Sequence, residues 1–281
     1  VVTRGAGTGL SGGALPLETG VLLVMARFKE ILDINPVGRR ARVQPGVRNL
    51  AISQAVAPHN LYYAPDPSSQ IACSIGGNVA ENAGGVHCLK YGLTVHNLLK
   101  IEVQTLDGEA LTLGSDALDS PGFDLLALFT GSEGMLGVTT EVTVKLLPKP
   151  PVARVLLASF DSVEKAGLAV GDIIANGIIP GGLEMMDNLS IRAAEDFIHA
   201  GYPVDAEAIL LCELDGVESD VQEDCERVND ILLKAGATDV RLAQDEAERV
   251  RFWAGRKNAF PAVGRISPDY YCMDGTIPRR A

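Results

Sequence analysis

The sequence predicts an α+β protein of two domains, residues 1–149 and 150–281, and three observations lead to that prediction. Its 281 residues exceed the usual size of a single domain. The first half has the pattern of short strands joined by glycine-rich turns, whereas the second half alternates strands with helices. Between the two patterns stands Lys149-Pro150-Pro151, the best candidate for a domain boundary, because proline interrupts helices and strands alike.

In the first domain the strongest predicted elements are a hairpin and a helix. Asp107-Gly108 between two apolar runs is a strong hairpin signal. Residues 47–57 have helical spacing, and Pro58 should end that helix. The predicted strands cover residues 21–28, which should be buried, and residues 40–44, 101–106, 110–113 and 136–147.

The second domain is predicted to alternate strands with helices along its whole length. Two β-α-β units in succession predict a ferredoxin-like α+β layer. The predicted strands cover residues 153–160, 182–186, 208–214 and 240–243, and the predicted helices residues 162–176, 188–199, 218–235 and 245–260.

The composition is that of a folded, acidic protein. Apolar residues make up 47% of the chain, and 36 Asp and Glu residues outnumber 24 Lys and Arg residues, for a formal net charge of -12. Such a chain repels phosphate backbones, so nucleic-acid binding is not expected. Neither a signal peptide nor a run of about 18 apolar residues is visible. The five cysteines, an odd number without a CxxC motif, are typical of reduced thiols in a cytoplasmic protein.

The first of three glycine clusters is RGAGTGLSGG at residues 4–13. Its glycines satisfy the pattern GxGxxG, but a Rossmann site needs a helix to begin at the loop, and the glycines and Pro16 that follow prevent one. What remains is a run of backbone N–H groups with few side chains, which can form a concave nest for an anion such as a diphosphate. The alternative is a flexible turn.

Two further clusters follow along the chain. Residues 74–85 come after the segment Pro65-Asp66-Pro67, and in them Gly76-Gly77 would let the backbone approach a ligand. Residues 78–83 should form one helical turn that Gly84-Gly85 ends. Residues 130–138 should follow a short helix and lead into a strand. Each cluster alone is compatible with a plain turn, but together they favour one extended ligand with a phosphate at its centre.

These clusters, in this order and spacing, resemble the FAD-binding domain of the vanillyl-alcohol oxidase/p-cresol methylhydroxylase (PCMH-type) flavoproteins. The motifs RGAGTGLSGG, IGGNVAENAGG and TGSEGMLG carry the resemblance, which runs over the whole chain. Within that family the chain is most similar to FAD-linked 2-hydroxy-acid oxidases and dehydrogenases, and YYCMDGTIPRR at residues 270–280 is most like glycolate oxidase subunits. The resemblance therefore implies a PCMH-type FAD-binding domain followed by a cap domain that covers the flavin and binds substrate.

The resemblance also implies roles for individual residues of the three clusters. Backbone amides of the first cluster would hold the FAD diphosphate, the second cluster would line the flavin and ribityl side, and the third would hold the adenosine end. The implied FAD-binding residues are Arg4, Gly5, Ala6, Gly7, Thr8 and Gly9 in the first cluster, Pro65, Ser74, Gly76, Gly77, Asn82 and Gly84 around the second, and Gly134 and Val138 in the third.

Three departures from the family pattern shape the expectations. Thr8-Gly9 stand where members with covalent flavin often carry a His, so FAD should be bound noncovalently. The family's first FAD-binding segment would precede Val1, and its His-x6-His segment would follow Ala281, so we expect a piece truncated at both ends. The four histidines of this chain show neither HxxxH nor HExxH spacing, and no complete metal site is predicted.

Oxidation of a 2-hydroxy acid needs a flavin that takes the C2 hydride, a cation for the carboxylate and a base for the hydroxyl proton. Arg256 is the candidate cation, because its planar fork binds a carboxylate with two parallel hydrogen bonds, and the resemblance also implies a substrate Arg there. The alternative is a solvated helix Arg paired with a glutamate such as Glu248. His87, beside the second cluster, is the one histidine worth testing as a base, although an exposed loop His is the simpler interpretation.

Other polar residues of the second domain remain open between a site and a structural role. Glu184 and Asp187 would point at the flavin edge, or Asp187 would cap the following helix. Cys272 would face substrate or be a buried structural thiol. The acidic residues between 218 and 226 would form a solvated helix face or dock a partner.

The leading hypothesis is FAD-dependent oxidation of a small 2-hydroxy acid, such as glycolate or D-lactate, to the 2-oxo acid. The resemblance implies that electrons pass to partners, a second flavin-type subunit and an iron–sulfur subunit, with peripheral association at the inner face of the cell membrane through them. One alternative is a flavin-binding subunit without catalysis of its own. Another is an NADPH-dependent reductase of the same flavin fold, as in cell-wall sugar biosynthesis, against which the two β-α-β units of the cap argue.

Overall fold

A computed structural model describes residues 1–117 and 121–277 of the chain. They form two compact units, Val1–Lys149 and Pro150–Ala281. The last residues of the YYCMDGTIPRR motif, from Pro278 onward, lie outside the described residues.

In its described residues, 1–117 and 121–149, the first unit has nine short strands and four short helices. The strands are β1 Val2–Arg4, β2 Leu22–Val24, β3 Ile31–Asn35, β4 Arg40–Val43, β5 Leu61–Tyr62, β6 Leu98–Gln104, β7 Ala110–Gly114, β8 Val138–Lys145 and β9 Leu147–Pro148. The helices are α1 Asn49–Val56, α2 Ile75–Glu81, α3 Cys88–Tyr91 and α4 Leu125–Phe129, with 3-10 turns at Met25–Arg27, Ala57–His59 and Thr94–Asn97.

The core of the first unit lies between a five-stranded sheet and the helices. The sheet has the order β3-β4-β8-β6-β7, and every neighbouring pair is antiparallel. Inward residues such as Ile101 and Val142 pack against Ile52 of α1 and Ile75 of α2, all of them fully buried. Burial of these side chains is the main stabilising contribution to the unit.

The predicted hairpin and first helix are confirmed. Strands β6 and β7 pair antiparallel with Gln104 opposite Ala110, and Gly108 takes the left-handed backbone conformation (φ +84°) that its turn requires. Helix α1 ends at Val56, followed by a 3-10 turn that contains Pro58, as expected from the missing N–H of proline. The long strand expected at 136–147 is divided into β8 and β9.

The prediction of a buried strand at residues 21–28 is wrong. Only Leu22–Val24 is extended, it pairs in parallel with β1 in a separate two-stranded sheet, and Leu23 and Val24 are exposed. Met25 is the buried residue of this segment and lies in a 3-10 turn. An unbroken apolar run does not distinguish a central strand from an edge pair, because it has no alternation that would identify a buried face. Strand β3, by contrast, was not expected from the sequence.

The helix of the second glycine cluster begins earlier than predicted. Ser74 is its N-cap and accepts a hydrogen bond from Gly77 N at 3.4 Å, so Gly76 and Gly77 lie inside the first turn. Asn82, not the glycine pair, ends the helix in the left-handed conformation (φ +49°), and Ala83 N donates to Asn78 O. Residues 78–81 of the predicted turn are therefore the second half of α2, and Asn82 is its C-cap.

The second unit alternates strands and helices as predicted. Its strands are β10 Val152–Phe160, β11 Gly182–Asp187, β12 Ala208–Gly216 and β13 Asp239–Leu242. Its helices are α5 Val163–Ala175, α6 Asn188–Ile198, α7 Glu218–Lys234, α8 Glu246–Lys257 and α9 Ala259–Ile266.

The second unit has ferredoxin-like topology, which confirms the predicted layer. The sheet order is β11-β12-β10-β13 with antiparallel neighbours, the arrangement of a βαββαβ fold, and α6 is inserted between its second and third strands. Helices α5 and α7 cover one face through a cluster that includes Phe160, Cys212 and Leu232. Helices α6 and α8 contact strands on the other side of the sheet, and α9 packs on α6.

The last predicted helix, 245–260, is two helices. Asn258 separates α8 from α9. Pro261 explains the break, because a continuous helix would bring its ring against the carbonyl of Lys257 and would lose one backbone hydrogen bond.

Candidate functional site

The three glycine clusters meet in the first unit. A side chain added at Gly5 in the first glycine loop, residues 4–13, would place its Cβ 2.1 Å from Ser74 Oγ at the start of α2. A Cβ at Gly13 of the same loop would lie 3.2 Å from Glu133 Oε2 in the third cluster. The loop therefore rests on both other clusters, and glycine at position 5 permits the approach.

The third cluster, residues 130–138, is bonded to α2 through the backbone. Gly131 N donates to Val79 O, and Glu133 N donates to Ala80 O, both at 2.8 Å. Gly134 has a left-handed backbone (φ +77°), and β8 begins at Val138. The cluster lies between α4 and β8, as the sequence predicts.

The backbone N–H groups of the first glycine loop are not used within the protein. Within the described part of the chain, the N–H groups of residues 5–11 donate no hydrogen bond. Unpaired donors in succession form a concave, electropositive surface for an anion. Hydrogen bonds from the Arg4 side chain stabilise the loop: its Nε and Nη2 donate to Ala14 O at 3.1 and 2.8 Å. Ser11 Oγ also donates to Glu81 Oε1 at 3.1 Å.

Pro65 is held by a buried amide network that sequence reasoning missed. Asn49, at the start of α1 and 1% exposed, donates through Nδ2 to Pro65 O at 2.9 Å and to Asn78 Oδ1 at 3.0 Å. Asn78 Nδ2 in turn lies 3.4 Å from Cys73 Sγ. The only signal for Asn49 in the sequence is a polar residue at a position where the helical pattern calls for an apolar one.

Two glycines of the second cluster face protein rather than open space. A Cβ at Gly76 would lie 2.6 Å from Pro45 Cβ, and one at Gly84 would lie 2.9 Å from Leu93 Cδ2. Asn82 directs its side-chain oxygen to Val95 N at 3.0 Å. For these residues the structure explains the residue type by packing, and their contact with a cofactor stays a prediction.

The histidines differ in their surroundings. His87 Nδ1 lies 2.9 Å from Asp66 Oδ2, and its backbone N donates to Asp66 Oδ1 at 3.2 Å, so it is not the exposed loop His of the simpler interpretation. His96 accepts from Leu93 N at 3.0 Å, and His199 ends α6 in the left-handed conformation. A role for His87 as a base stays a prediction.

In the second unit, α8 is fixed to the sheet by a buried carboxylate. Glu213 of β12 is 3% exposed, and it points away from the α5–α7 face because its neighbours Cys212 and Leu214 point into it. Its Oε2 accepts hydrogen bonds from Arg249 Nη1 at 2.8 Å and from Trp253 Nε1. A buried carboxylate needs such partners, because its desolvation is otherwise costly.

Tyr202 fixes the same helix from a second direction. Its hydroxyl donates to Phe252 O, and a Cβ at Gly255 would lie within 2.5 Å of its ring. Burial raises the pKa of Tyr202, so its hydroxyl remains a donor at all physiological pH values.

Arg256, one turn beyond this anchor, is paired with Glu184 of β11. Arg256 Nε donates to Glu184 Oε2 at 3.0 Å, and Nη2 lies 2.9 Å from the same oxygen. Arg256 is thus paired with a glutamate, as the alternative interpretation expected, but the partner is Glu184, because Glu248 accepts from Gln244 N at 2.7 Å near the start of α8. Asp187 accepts from Ser190 N at 2.9 Å as the N-cap of α6, which is the structural of its two interpretations.

The described residues contain no group of three or more His, Cys, Asp or Glu side chains that could hold a metal ion. None of the helices in the described ranges is both long and apolar enough to cross a membrane. All five cysteines are free thiols.

Comparison with known proteins assigns the two halves of the chain to two domain families. Residues 1–114 match the model of an FAD binding domain, and residues 149–281 match the C-terminal domain of FAD linked oxidases. The chain belongs to the FAD-linked oxidase family. This confirms the predicted resemblance, the fold class and FAD as the cofactor.

Individual relatives agree with this assignment. The chain is 41% identical over 280 residues to glycolate oxidase subunit GlcD of Bacillus subtilis, an alignment that covers 99% of the chain and 60% of the relative. It is 33% identical over 271 residues to D-lactate dehydrogenase of Anaerostipes hadrus, covering 94% of the chain and 57% of the relative. The chain thus spans somewhat more than half the length of these relatives.

A solved structure supports the fold. The crystal structure of p-cresol methylhydroxylase with substrate bound superimposes with a TM-score of 0.68 at 18% identity, covering 84% of this chain and 52% of that one. At this identity the likeness concerns the fold alone, and it confirms the predicted PCMH-type architecture.

Proposed function

We propose that the whole protein oxidises a small 2-hydroxy acid, such as glycolate or D-lactate, to the 2-oxo acid with noncovalently bound FAD. One observation carries the proposal: the unpaired N–H groups of residues 5–11 lie where the three glycine clusters meet. The printed names of the relatives, glycolate oxidase subunit and D-lactate dehydrogenase, support the substrate class.

The residues present fit a dinucleotide bound across the three clusters. The first glycine loop offers consecutive donors for a diphosphate, and no Lys or Arg is needed where backbone dipoles supply the positive potential. Ser132 in the third cluster has a buried hydroxyl oxygen without a hydrogen-bond partner among the described residues, and a polar group of the cofactor would supply one. When bound, FAD supplies a hydride acceptor at flavin N5.

The substrate carboxylate is assigned to Arg256. Its guanidinium has five N–H donors; Nε–H donates to Glu184 Oε2, and Nη2 lies 2.9 Å from the same oxygen. The Nη1–Nη2 edge remains for a carboxylate in the two-bond geometry that arginine favours. Arg256 thereby binds and orients the acid, and the base that takes the hydroxyl proton is not assigned among the described residues.

Electron transfer from the flavin to partner subunits, a second flavin-type subunit and an iron–sulfur subunit, belongs to the same proposal. Its support is the resemblance to multi-subunit glycolate oxidases and the printed description of one relative as a subunit.

The test is anaerobic titration of the full-length protein, purified with its FAD, against glycolate and D-lactate. Bleaching of the flavin absorbance near 450 nm by either acid is expected. A protein that keeps its flavin but is not bleached by either acid would contradict the substrate class and favour a flavin-binding subunit without catalysis of its own. Flavin released into the supernatant by acid precipitation would support noncovalent binding.

A further inference from the structure

We propose that Glu184 is a positioning residue, which acts on the substrate through Arg256 by fixing the direction of its guanidinium. The inference rests on the proposed function and deepens it, because it names a second residue of the carboxylate-binding site. The sequence left Glu184 open between a flavin-facing role and none.

The geometry of the pair is selective for one edge of the guanidinium. Glu184 Oε2 accepts a hydrogen bond from Nε–H at 3.0 Å and lies 2.9 Å from Nη2, and these two nitrogens are on the same side of the planar group. Two contacts to one oxygen restrict the plane of the guanidinium and leave Nη1 for a ligand. No acceptor among the described residues engages Nη1.

The two residues are held by different parts of a rigid frame. Glu184 lies on β11 with Leu211 of β12 opposite it, two residues from Glu213 along that strand. Glu213 binds Arg249 and Trp253, which precede Arg256 on α8 by seven and three residues. Residues at these spacings share one face of a helix, so Arg249, Trp253 and Arg256 all face the same sheet.

Partial burial makes the pair suited to ligand binding. The side chains of Arg256 and Glu184 are 27% and 23% exposed. By contrast, Glu213 is almost fully buried and has both its partners within the protein. An arginine without Glu184 would sample several rotamers, and fixing one on binding would weaken the affinity for a carboxylate.

The experiment uses the full-length holoenzyme with Glu184→Gln, and Glu184→Asp as a second variant that keeps the charge but shortens the reach. The matched control is Glu218→Gln, which removes a carboxylate paired with Arg154 on the opposite, α7-covered side of the sheet. We measure KM and kcat for D-lactate, and the dissociation constant of oxalate from its perturbation of the flavin absorbance.

Glu184→Gln should lower kcat/KM for D-lactate about 10-fold, mostly through KM, and weaken oxalate binding by a similar factor. Glu184→Asp should have an intermediate effect, and Glu218→Gln should change neither quantity more than about twofold. In an Arg256→Met background, Glu184→Gln should have no further effect, because a positioning residue acts through its partner.

Unchanged oxalate affinity in well-folded Glu184→Gln and Glu184→Asp holoenzymes would overturn the inference. It would also be overturned if Glu184→Gln weakened oxalate binding as much in the Arg256→Met background as in the wild type. Failure of the proposed function gives a different result, because the wild-type flavin is then not bleached by either hydroxy acid. The oxalate titration still tests the pair in that case.

Discussion

At the scale of single residues, different close contacts require glycine at different positions of the site. Gly5 allows the first glycine loop to touch Ser74, whereas Gly76 allows α2 to touch Pro45. A glycine cluster in a sequence shows that something approaches the backbone closely, but it does not say whether that is a ligand or the protein itself. This is why the cluster positions were predictable and the function of each glycine was not.

Gly5→Ala tests the packing of the first glycine loop. Its Cβ would displace the Ser74 hydroxyl, which caps α2, and would shift the loop. Loss of such a cap costs about 1 kcal/mol, and we expect FAD affinity to fall at least about 10-fold. Titration of the apoprotein with FAD measures it. Gly167→Ala in α5, where a Cβ meets no atom within 4 Å, is the control, and equal affinities of the two variants would contradict the packing argument.

Asn49→Leu tests the buried amide network. The substitution removes the donor to Pro65 O and Asn78 Oδ1 and leaves both acceptors buried. Each unsatisfied buried group costs about 1–3 kcal/mol, so a loss of at least about 2 kcal/mol in the free energy of unfolding is expected. Urea unfolding measures it. Asn176→Ala, at an exposed helix end, should cost less than about 0.5 kcal/mol, and a similar cost for Asn49→Leu would refute the role of the network.

At the scale of elements, the residues that cap or interrupt helices and strands determined which boundaries could be predicted from the sequence. The hairpin at Asp107-Gly108 and the helix that Pro58 limits were predictable, because turn chemistry acts locally. The sequence contains the signals for two missed boundaries, Ser74 as the cap of α2 and Pro261 for the break at Asn258. Neither was predicted, because the apolar pattern around them continues without interruption. The exposure of β2 depends on its parallel partner, which no local pattern specifies.

Arg249→Met tests the anchor of α8. It removes the guanidinium from Glu213, a carboxylate that is 3% exposed. Removing one partner of a buried ion pair destabilises by about 3–5 kcal/mol, so a clear drop in the melting temperature of the second unit is expected in calorimetry. Arg227→Met, which breaks an exposed pair with Asp224, should cost less than about 1 kcal/mol. Equal costs for the two variants would show that Glu213 does not depend on Arg249.

At the scale of the whole molecule, the five free thiols should divide by burial. Burial raises the pKa of Cys212 and of Cys225, so their reactive thiolates are disfavoured, and Cys73 is itself inaccessible. With iodoacetamide at pH 8, mass spectrometry should find label on the half-buried Cys88 and Cys272 and little on the other three. Fast labelling of Cys212 in the native protein would contradict the described core.

The architecture as a whole followed from the sequence for two reasons. The alternation of strand and helix after Lys149 fixes a ferredoxin-like order with few alternatives, because connections are short and each helix must cover a sheet face. The three glycine clusters indicated one extended ligand before their contacts were known. The pairing of Arg256 with Glu184 could not be predicted, because 72 residues separate the partners and only the register of β11 brings them together.

The central claim is that side-chain-free amides of residues 5–11 bind the diphosphate of FAD. Calorimetric titration of the full-length apoprotein with ADP and with adenosine, which differ only in the diphosphate, tests it most directly. Two or more hydrogen bonds to a charged group predict that ADP binds at least about 100-fold more tightly than adenosine. Equal affinities for the two ligands, or no binding of ADP at all, would contradict the claim.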